Sequence, residues 1–266
     1  MQAHILANKQ AVIFGAGGAV GASVAKEFAT QGATVFISGR HVDTVQQLAA
    51  DIQSSGGCAK AAQVNALDEP AVDAYLDRVV DEAGSIDIVL NLMGPAPQEY
   101  SNGMNTLELP LEHFRVPLTT LVLSQFVTAR AAARHMVGQH SGVILFVTAL
   151  PARGLANLSA IGAAFGAMES LVRCLAVDFG PAGVRVVGVR SAAMVDTPTI
   201  QRSVENSARQ MSLPKEQLIA RFEQSTLLKR LPTSVDTARV AAFLASDGAG
   251  TITGAIVNAS SGSIID

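Results

Sequence analysis

The sequence predicts an α/β fold: a single Rossmann-type, doubly wound domain whose parallel sheet of about seven strands carries helices on both faces. Three observations lead to this prediction. Short runs of consecutive apolar residues alternate along the chain with amphipathic stretches, as strands buried on both faces alternate with their covering helices. Glycines stand between a helical stretch and the next apolar run at positions 32, 56, 57, 84 and 183, where glycine commonly ends a helix. A glycine-rich turn follows the first run directly.

The elements follow in order along the chain. Strands are predicted at 11–14, 34–38, 59–64, 86–91, 143–148, 184–189 and 255–258. Helices are predicted at 20–30, 42–54, 69–83, 107–137, 156–179 and 235–245. The stretch 199–224 is helical but irregular, and we expect residues 198–226 to cover a substrate.

The composition fits one folded domain. The 266 residues are 49% hydrophobic and 15% charged, which is typical of a chain with a large buried core. No linker, repeat or low-complexity tract interrupts the sequence, so residues 1–266 are predicted to form one domain. The formal net charge of −3 and the absence of basic clusters argue against a nucleic acid partner.

Metal binding and membrane insertion are not expected. Cys58 and Cys174 fall in different elements, without the spacing of metal ligands. The first residues lack the basic and apolar segments of a signal peptide, and the longest uncharged stretch, 154–168, is too short to span a bilayer. We therefore expect a cytoplasmic protein.

The glycine-rich turn predicts a dinucleotide site. Between the first strand and the first helix lie Gly15, Gly17, Gly18, Val20 and Gly21. Glycines allow the backbone to turn tightly and to approach a pyrophosphate, whose charge is stabilised by the N-terminal N–H groups of the helix. The alternative, an ordinary strand-to-helix turn, does not account for so many small residues in a row.

Arg40 favours NADP(H) over NAD(H). The second strand ends in Ser38, Gly39 and Arg40, without the carboxylate that binds a ribose 2′-hydroxyl. A guanidinium at this point can pair with the 2′-phosphate of NADP. The alternative is a solvated arginine at the start of a helix.

These motifs, together with later ones, resemble the short-chain dehydrogenase/reductase family over nearly the whole chain. The family's Gly-x-x-x-Gly-x-Gly turn is present with Ala19 in place of the middle glycine, and its Asn-Asn-Ala-Gly segment corresponds to residues 91–94. Residues 180–186 and 230–254 are also similar to family patterns, and residues 191–197 resemble the enoyl-acyl carrier protein reductase branch. The resemblance implies that further residues contact the cofactor, namely Asn65, Ala66, Asn91, Met93, Gly94, Val195 and Thr197.

The resemblance fails at the catalytic positions. The family's Tyr-x-x-x-Lys pair falls on Ile161 and Phe165, and the longer spacing of the enoyl-reductase branch moves the tyrosine position only to Leu158. The family's serine falls on Thr148 or Ala149, and its asparagine falls on Leu121. The face that holds Ile161 and Phe165 is predicted to be either packed core or interface, or the wall of a dry, apolar pocket.

Two hydroxyl groups remain as weak catalytic candidates. Thr148 ends the fifth strand, and Tyr100 follows the fourth strand at the edge of the sheet where such folds bind ligands. Each also has a purely structural explanation, as a strand-capping residue and a surface-loop residue respectively. The catalytic residues are therefore not identified by the sequence.

Three functions stay open. The first is an NAD(P)(H)-dependent oxidoreductase that transfers hydride to or from a carbonyl or enoyl small molecule. The second is a catalytically inactive nucleotide-binding or partner-subunit protein, and the third is a non-redox lyase or isomerase. The resemblance implies a homotetramer or dimer, with the Ala-rich faces of helices 107–137 and 156–179 in one interface.

Overall fold

A computed structural model describes residues 4–266 and contains one seven-stranded parallel sheet. The strands are β1 (Gln10–Phe14), β2 (Thr34–Gly39), β3 (Cys58–Gln63), β4 (Ile88–Asn91), β5 (Gly142–Ala149), β6 (Val184–Ser191) and β7 (Ile256–Ala259). Their order is β3-β2-β1-β4-β5-β6-β7, so the winding direction reverses between β1 and β4. Ligands of open α/β sheets bind at the carboxyl ends of the strands beside such a reversal. The predicted fold class and strand number are confirmed.

Helices cover both faces of the sheet. They are α1 (Ala19–Thr30), α2 (Val42–Ser54), α3 (Glu69–Ala83), α4 (Leu111–Pro117), α5 (Leu123–Gln139), α6 (Ser159–Phe179), α7 (Pro198–Gln210), α8 (Lys215–Ser225) and α9 (Ser234–Ala245). Val24 of α1, Leu48 of α2 and Ala241 of α9 belong to the hydrophobic core on one face. On the opposite face, the core includes residues of α3, α5 and α6.

The long helix predicted at 107–137 begins later in the structure and is interrupted. It starts at Leu111, because Pro110 has an extended conformation and disfavours helix in the residue before it. Pro117 lies inside the helical segment, and the next five residues, Leu118–Val122, form a π-helical turn before α5 begins. A proline removes one helical hydrogen bond, which explains a local change in winding.

The helix predicted at 156–179 begins at Ser159, because Asn157 has a left-handed conformation with φ of 61°. The segment Ser159–Ala182 has the length and mean hydropathy, 1.5, of a membrane span. However, 44% of its most apolar stretch is buried within the protein, and α6 packs on the sheet. The core helix of a soluble protein meets the same criteria, so this segment is weak evidence for a membrane.

Candidate active site

The glycine turn after β1 leaves no room for side chains at two positions. Gly15 has φ of +71°, and a Cβ atom there would lie 2.5 Å from the backbone nitrogen of Met93. At Gly21, a Cβ would lie 2.6 Å from the carbonyl oxygen of Gly15. The turn therefore packs backbone against backbone, and glycine is required by sterics at both positions.

A cavity of about 250 Å³ opens beside this turn. Seven of the residues predicted to bind the cofactor line it: Gly15, Gly17, Gly18, Arg40, Ala66, Met93 and Gly94. Gly18 is the N-cap of α1 and has an extended backbone, so the N-terminal N–H groups of α1 begin at the cavity. These residues fit the phosphate and adenosine portion of a dinucleotide.

Arg40 lies at the rim of this cavity. Its side chain is exposed at the cavity rim, and within residues 4–266 it forms no salt bridge. Its carbonyl oxygen accepts a hydrogen bond of 2.9 Å from Gln63 Nε2, which fixes the backbone at the end of β2. The guanidinium is thus available to an anionic ligand.

Asn91 supports the site through its side chain. Its Oδ1 accepts a hydrogen bond of 2.9 Å from the backbone N–H of Met93, and its Nδ2 donates to Thr128 Oγ1 at 3.3 Å. Asn91 is 2% exposed and does not line the cavity. The structure therefore places its side chain as a brace for the loop that closes on Gly15, and not as a cavity wall.

The other predicted cofactor residues lie outside this cavity. Asn65 is exposed, and its Oδ1 accepts a hydrogen bond from the backbone N–H of Leu67 at 3.2 Å. The hydroxyl of Thr197 donates to the carbonyl oxygen of Met194 at 2.8 Å, and Val195 is half-buried. Val20 and Gly21 lie within α1. The roles of these residues in binding stay predictions.

The catalytic positions form an apolar surface. Ile161 is 7% exposed and Leu121 is 8% exposed, and both belong to the core cluster beneath α6. Phe165 is half-buried and packs against the same cluster. Leu121 lies in the π-helical turn, and its Cδ2 would be 3.4 Å from a Cβ built at Gly94. The face is therefore partly packed core, and no side chain on it can transfer a proton.

Thr148 contacts a buried ion-pair network that was not predicted from the sequence. Its Oγ1 donates to Glu169 Oε1 at 3.0 Å, and Arg190 binds the same carboxylate with Nε and Nη2 at 2.7 and 2.8 Å. The Arg190 guanidinium also donates to Asp266, which accepts a further bond of 3.3 Å from Arg153.

The side chains of Arg190 and Glu169 are only 4% and 7% exposed. The hydrogen bond to Glu169 raises the pKa of the Arg190 guanidinium. The Thr148 hydroxyl is directed at this pair, which makes it the weaker catalytic candidate. The sequence analysis did not show that Thr148 lies opposite Arg190 or that Glu169 binds both side chains.

Tyr100 lies close to Ile161, the residue predicted to stand at the family's tyrosine position. It ends a short 3₁₀ helix, Pro97–Tyr100, and is 7% exposed. The alternative interpretation of Tyr100 as an exposed surface-loop residue is therefore wrong. Tyr100 and Ile161 line the same small cavity of about 10 Å³, together with Leu109 and Leu158. Burial raises the pKa of the Tyr100 phenol to about 12. The phenol therefore keeps its proton at neutral pH.

A larger polar cleft adjoins the small cavity. It has a volume of about 720 Å³ and lies between the segment 97–108 and α7. Ser101, Asn102, Met104 and Asn157 border both spaces. Residues of α7 form one wall. That residues 198–226 cover a substrate stays a prediction.

Together, the fold and the glycine cavity define a dinucleotide-binding protein of the Rossmann type. Residues 15–263 match the family model described as enoyl-(acyl carrier protein) reductase. The chain belongs to the short-chain dehydrogenase/reductase family and is by this relationship an NAD(P)(H)-dependent oxidoreductase.

Relatives match over nearly the full chain. A 7alpha-hydroxysteroid dehydrogenase of Escherichia coli (strain K12) is 29% identical over 260 residues, which cover 97% of this chain and 95% of that protein. An uncharacterised oxidoreductase of Bacillus subtilis is 30% identical over 258 residues, covering 97% and 91%. A solved structure of a 7 alpha-hydroxysteroid dehydrogenase with NADH and 7-oxo glycochenodeoxycholic acid has a TM-score of 0.85 and 28% identity, covering 99% and 97%.

Proposed function

We propose that this protein uses NADP(H) in preference to NAD(H) and acts on a carbonyl or enoyl group of a small molecule, with Tyr100 in the role of the absent proton-transfer tyrosine. The observation that carries the proposal is the shared cavity of Tyr100 and Ile161. This shared lining supports the proposal that a phenol from the loop after β4 acts near the position where the family's motif has one on α6.

The cofactor would be held mainly at its phosphate and adenosine end. The glycine turn and the start of α1 would bind the pyrophosphate, and Arg40 would pair with the 2′-phosphate. When bound, NADP(H) supplies the hydride. At the nicotinamide ribose, Phe165 offers no charged partner, a loss on the order of 1.5–3 kcal/mol where the hydrogen bond is not replaced.

The phenol of Tyr100 suits proton donation in the reductive direction. Its high pKa keeps it protonated across the physiological range, so the O–H is available to donate to a substrate oxygen. A hydrogen bond of 2.7 Å between Ser101 Oγ and His113 Nδ1 holds the neighbouring residue, and Thr106 Oγ1 donates to Ser159 Oγ at 3.1 Å. These contacts fix the loop against α4 and α6.

Replacing Tyr100 with phenylalanine tests the catalytic part. We expect turnover with NADPH to fall about 10²–10⁴-fold, the contribution of a placed general acid, while NADPH affinity by calorimetry stays unchanged. Tyr75→Phe is the matched control, because Tyr75 is a buried residue of α3 and its hydroxyl has no hydrogen-bond partner within the described residues. Equal turnover of both variants would exclude Tyr100 as the donor.

Calorimetry with NADPH and NADH tests the cofactor preference. We expect Arg40→Ala to weaken NADPH binding about 10-fold or more, as the loss of a charge-assisted hydrogen bond predicts, and to leave NADH binding unchanged. Equal loss for both cofactors would contradict the role of Arg40. Tight NADPH binding without turnover on any carbonyl substrate would favour the inactive nucleotide-binding alternative.

A cytoplasmic homo-oligomer, a tetramer or dimer, completes the proposal. Of the alanines predicted for the interface, Ala131, Ala132 and Ala133 of α5 are at most 3% exposed and pack inside the chain, whereas Ala163 of α6 is exposed. The apolar side chains that α5 and α6 leave exposed are larger, including Phe126 at 40% and Val177 at 75%. Sedimentation of the purified protein measures the state directly, and a monomer would contradict this part.

A further inference from the structure

We propose that the substrate is a hydroxylated organic acid, whose carboxylate or phosphate is bound by Arg202 and Arg209 of α7. This inference rests on the proposed function and deepens it, because it names the chemical class of the substrate. It is carried by the polar cleft of about 720 Å³ between the segment 97–108 and α7.

The two arginines face the cleft together. They are seven residues apart on α7, and residues with this spacing lie on the same side of a helix. Both line the cleft, with Glu205 and Asn206 between them in sequence. A ligand in the cleft therefore meets both guanidinium groups on one wall.

The two arginines of this wall are not paired in salt bridges. Neither Arg202 nor Arg209 forms a salt bridge within the described part of the chain. The Arg209 guanidinium donates to the amide oxygen of Asn206. Glu205 is paired instead with Lys215, whose Nζ lies 2.6 Å from its carboxylate.

The surrounding charges agree with this assignment. The Lys215 ammonium lowers the pKa of the Glu205 carboxyl, and the nearby Arg209 and Arg202 lower it further. On the other walls the cleft contains one carboxylate, that of Glu108. The α7 wall thus has a net positive charge that an anionic group would balance, and guanidinium groups bind carboxylate and phosphate oxygens in pairs.

The facing walls suit hydroxyl groups. Gln98, Asn102, Asn105 and Asn157 line them, and each carboxamide offers both a donor and an acceptor, as a hydroxyl requires. Asn102 Nδ2 also donates to Ser203 Oγ at 3.0 Å, which joins the loop to α7. The cleft shares Asn157 and Ser101 with the small cavity of Tyr100 and Ile161, so it adjoins the loop that holds the proposed catalytic phenol.

Calorimetry with three probes of matched carbon skeleton tests the proposal: gluconate, sorbitol 6-phosphate and neutral sorbitol. They are titrated into the protein with and without NADPH. We expect at least one acid to bind at least 10-fold more tightly than sorbitol, and the acid that binds better distinguishes carboxylate from phosphate. In the double variant Arg202→Gln, Arg209→Gln we expect that acid to bind about 10- to 100-fold more weakly, the effect of losing charge-assisted hydrogen bonds.

Arg221→Gln on α8 is the matched control, because Arg221 is exposed and lies outside the cleft. Circular dichroism establishes that the variants fold. Acids that bind no better than sorbitol, or that bind the double variant and the parent equally, would overturn the proposal. Absent NADPH binding would overturn the proposed function instead, while the titrations without NADPH would still decide whether the anion site exists.

Discussion

The glycine turn and the first turns of α6 lie at the same carboxyl edge of the sheet, yet they differ in how their chemistry depends on side chains. The turn between β1 and α1 presents backbone N–H groups, and its requirement is only that Gly15 and Gly21 have no side chain. The matching face of α6 has Ile161 and Phe165 where the family resemblance predicts a phenol and an ammonium. A site built from backbone depends less on side-chain identity than a site built from side chains.

The two regions also differ in which elements supply their polar atoms. Around Ile161, α6 itself contributes the hydroxyl of Ser159, while Tyr100 comes from the loop after β4 and the cleft residues come from segment 97–108 and α7. Further along α6, Glu169 is bound to Arg190 in the interior. The helix thus serves packing, while the loops hold the candidate chemistry, as loops on a rigid scaffold commonly do.

The largest expected effect comes from restoring the pair on α6. The substitutions Ile161→Tyr and Phe165→Lys are added to the Tyr100→Phe variant. We expect carbonyl reduction with NADPH to be about 10²–10⁴-fold faster than in Tyr100→Phe alone, because a general acid is placed on α6. Steady-state kinetics measures it, and Phe165→Lys alone is the control. A folded double variant with no gain would show that these positions do not correspond to the family's pair.

Breaking the buried ion pair is expected to have the next largest effect. Glu169→Ala leaves Arg190 charged in the interior and deprives Thr148 of its partner, so we expect the free energy of unfolding to fall by about 3–5 kcal/mol. Urea denaturation measures the change. Glu205→Ala on α7 is the exposed control, and equal effects of the two variants would contradict a structural role for Glu169.

The steric requirement of the glycine turn is tested by Gly15→Ala. The new methyl group would lie 2.5 Å from the Met93 nitrogen on a backbone with φ of +71°. We expect a loss of about 2–4 kcal/mol in unfolding free energy and weaker NADPH binding. Gly18→Ala is the matched control, because its nearest contact is 3.6 Å away. Similar stability of both variants would show that the turn adjusts.

The smallest expected effect is a loss of stability at alkaline pH. Burial raises the pKa of Tyr100 from 10.0 to about 12, so the folded protein holds the phenolic proton more tightly than the unfolded chain. This contribution is complete below pH 10 and is lost as the pH rises toward 12, by about 2–3 kcal/mol in total. Denaturation of the parent and Tyr100→Phe across this range isolates it. Parallel pH profiles would mean that Tyr100 is more accessible than the structure shows.

The sequence alone determined the fold and the dinucleotide site. Buried parallel strands are apolar along their whole length and helices end in glycine, so the order of elements is local information, and strict alternation leaves few topologies. Seven of the predicted cofactor residues line one cavity, because each follows a strand whose end lies at the same edge of the sheet. Local signals missed the π-helical turn after Pro117 and boundaries such as those set by Pro110 and Asn157, where single backbone conformations decide.

Only the tertiary structure decided which side chains meet around the substrate site. Tyr100 and Ile161 are far apart in the chain, and their common cavity depends on how the loop after β4 folds onto α6. The ion pair of Glu169 with Arg190 depends on how α6 packs on β6, and the place of Thr148 beside it depends on the register of β5 with β6. Arg202 and Arg209 line a cleft only because α7 packs opposite residues 97–108. Such contacts arise from long-range packing, which leaves no local signal in the sequence. Strands and helices leave a periodic pattern of apolar residues, and turns are marked by glycine.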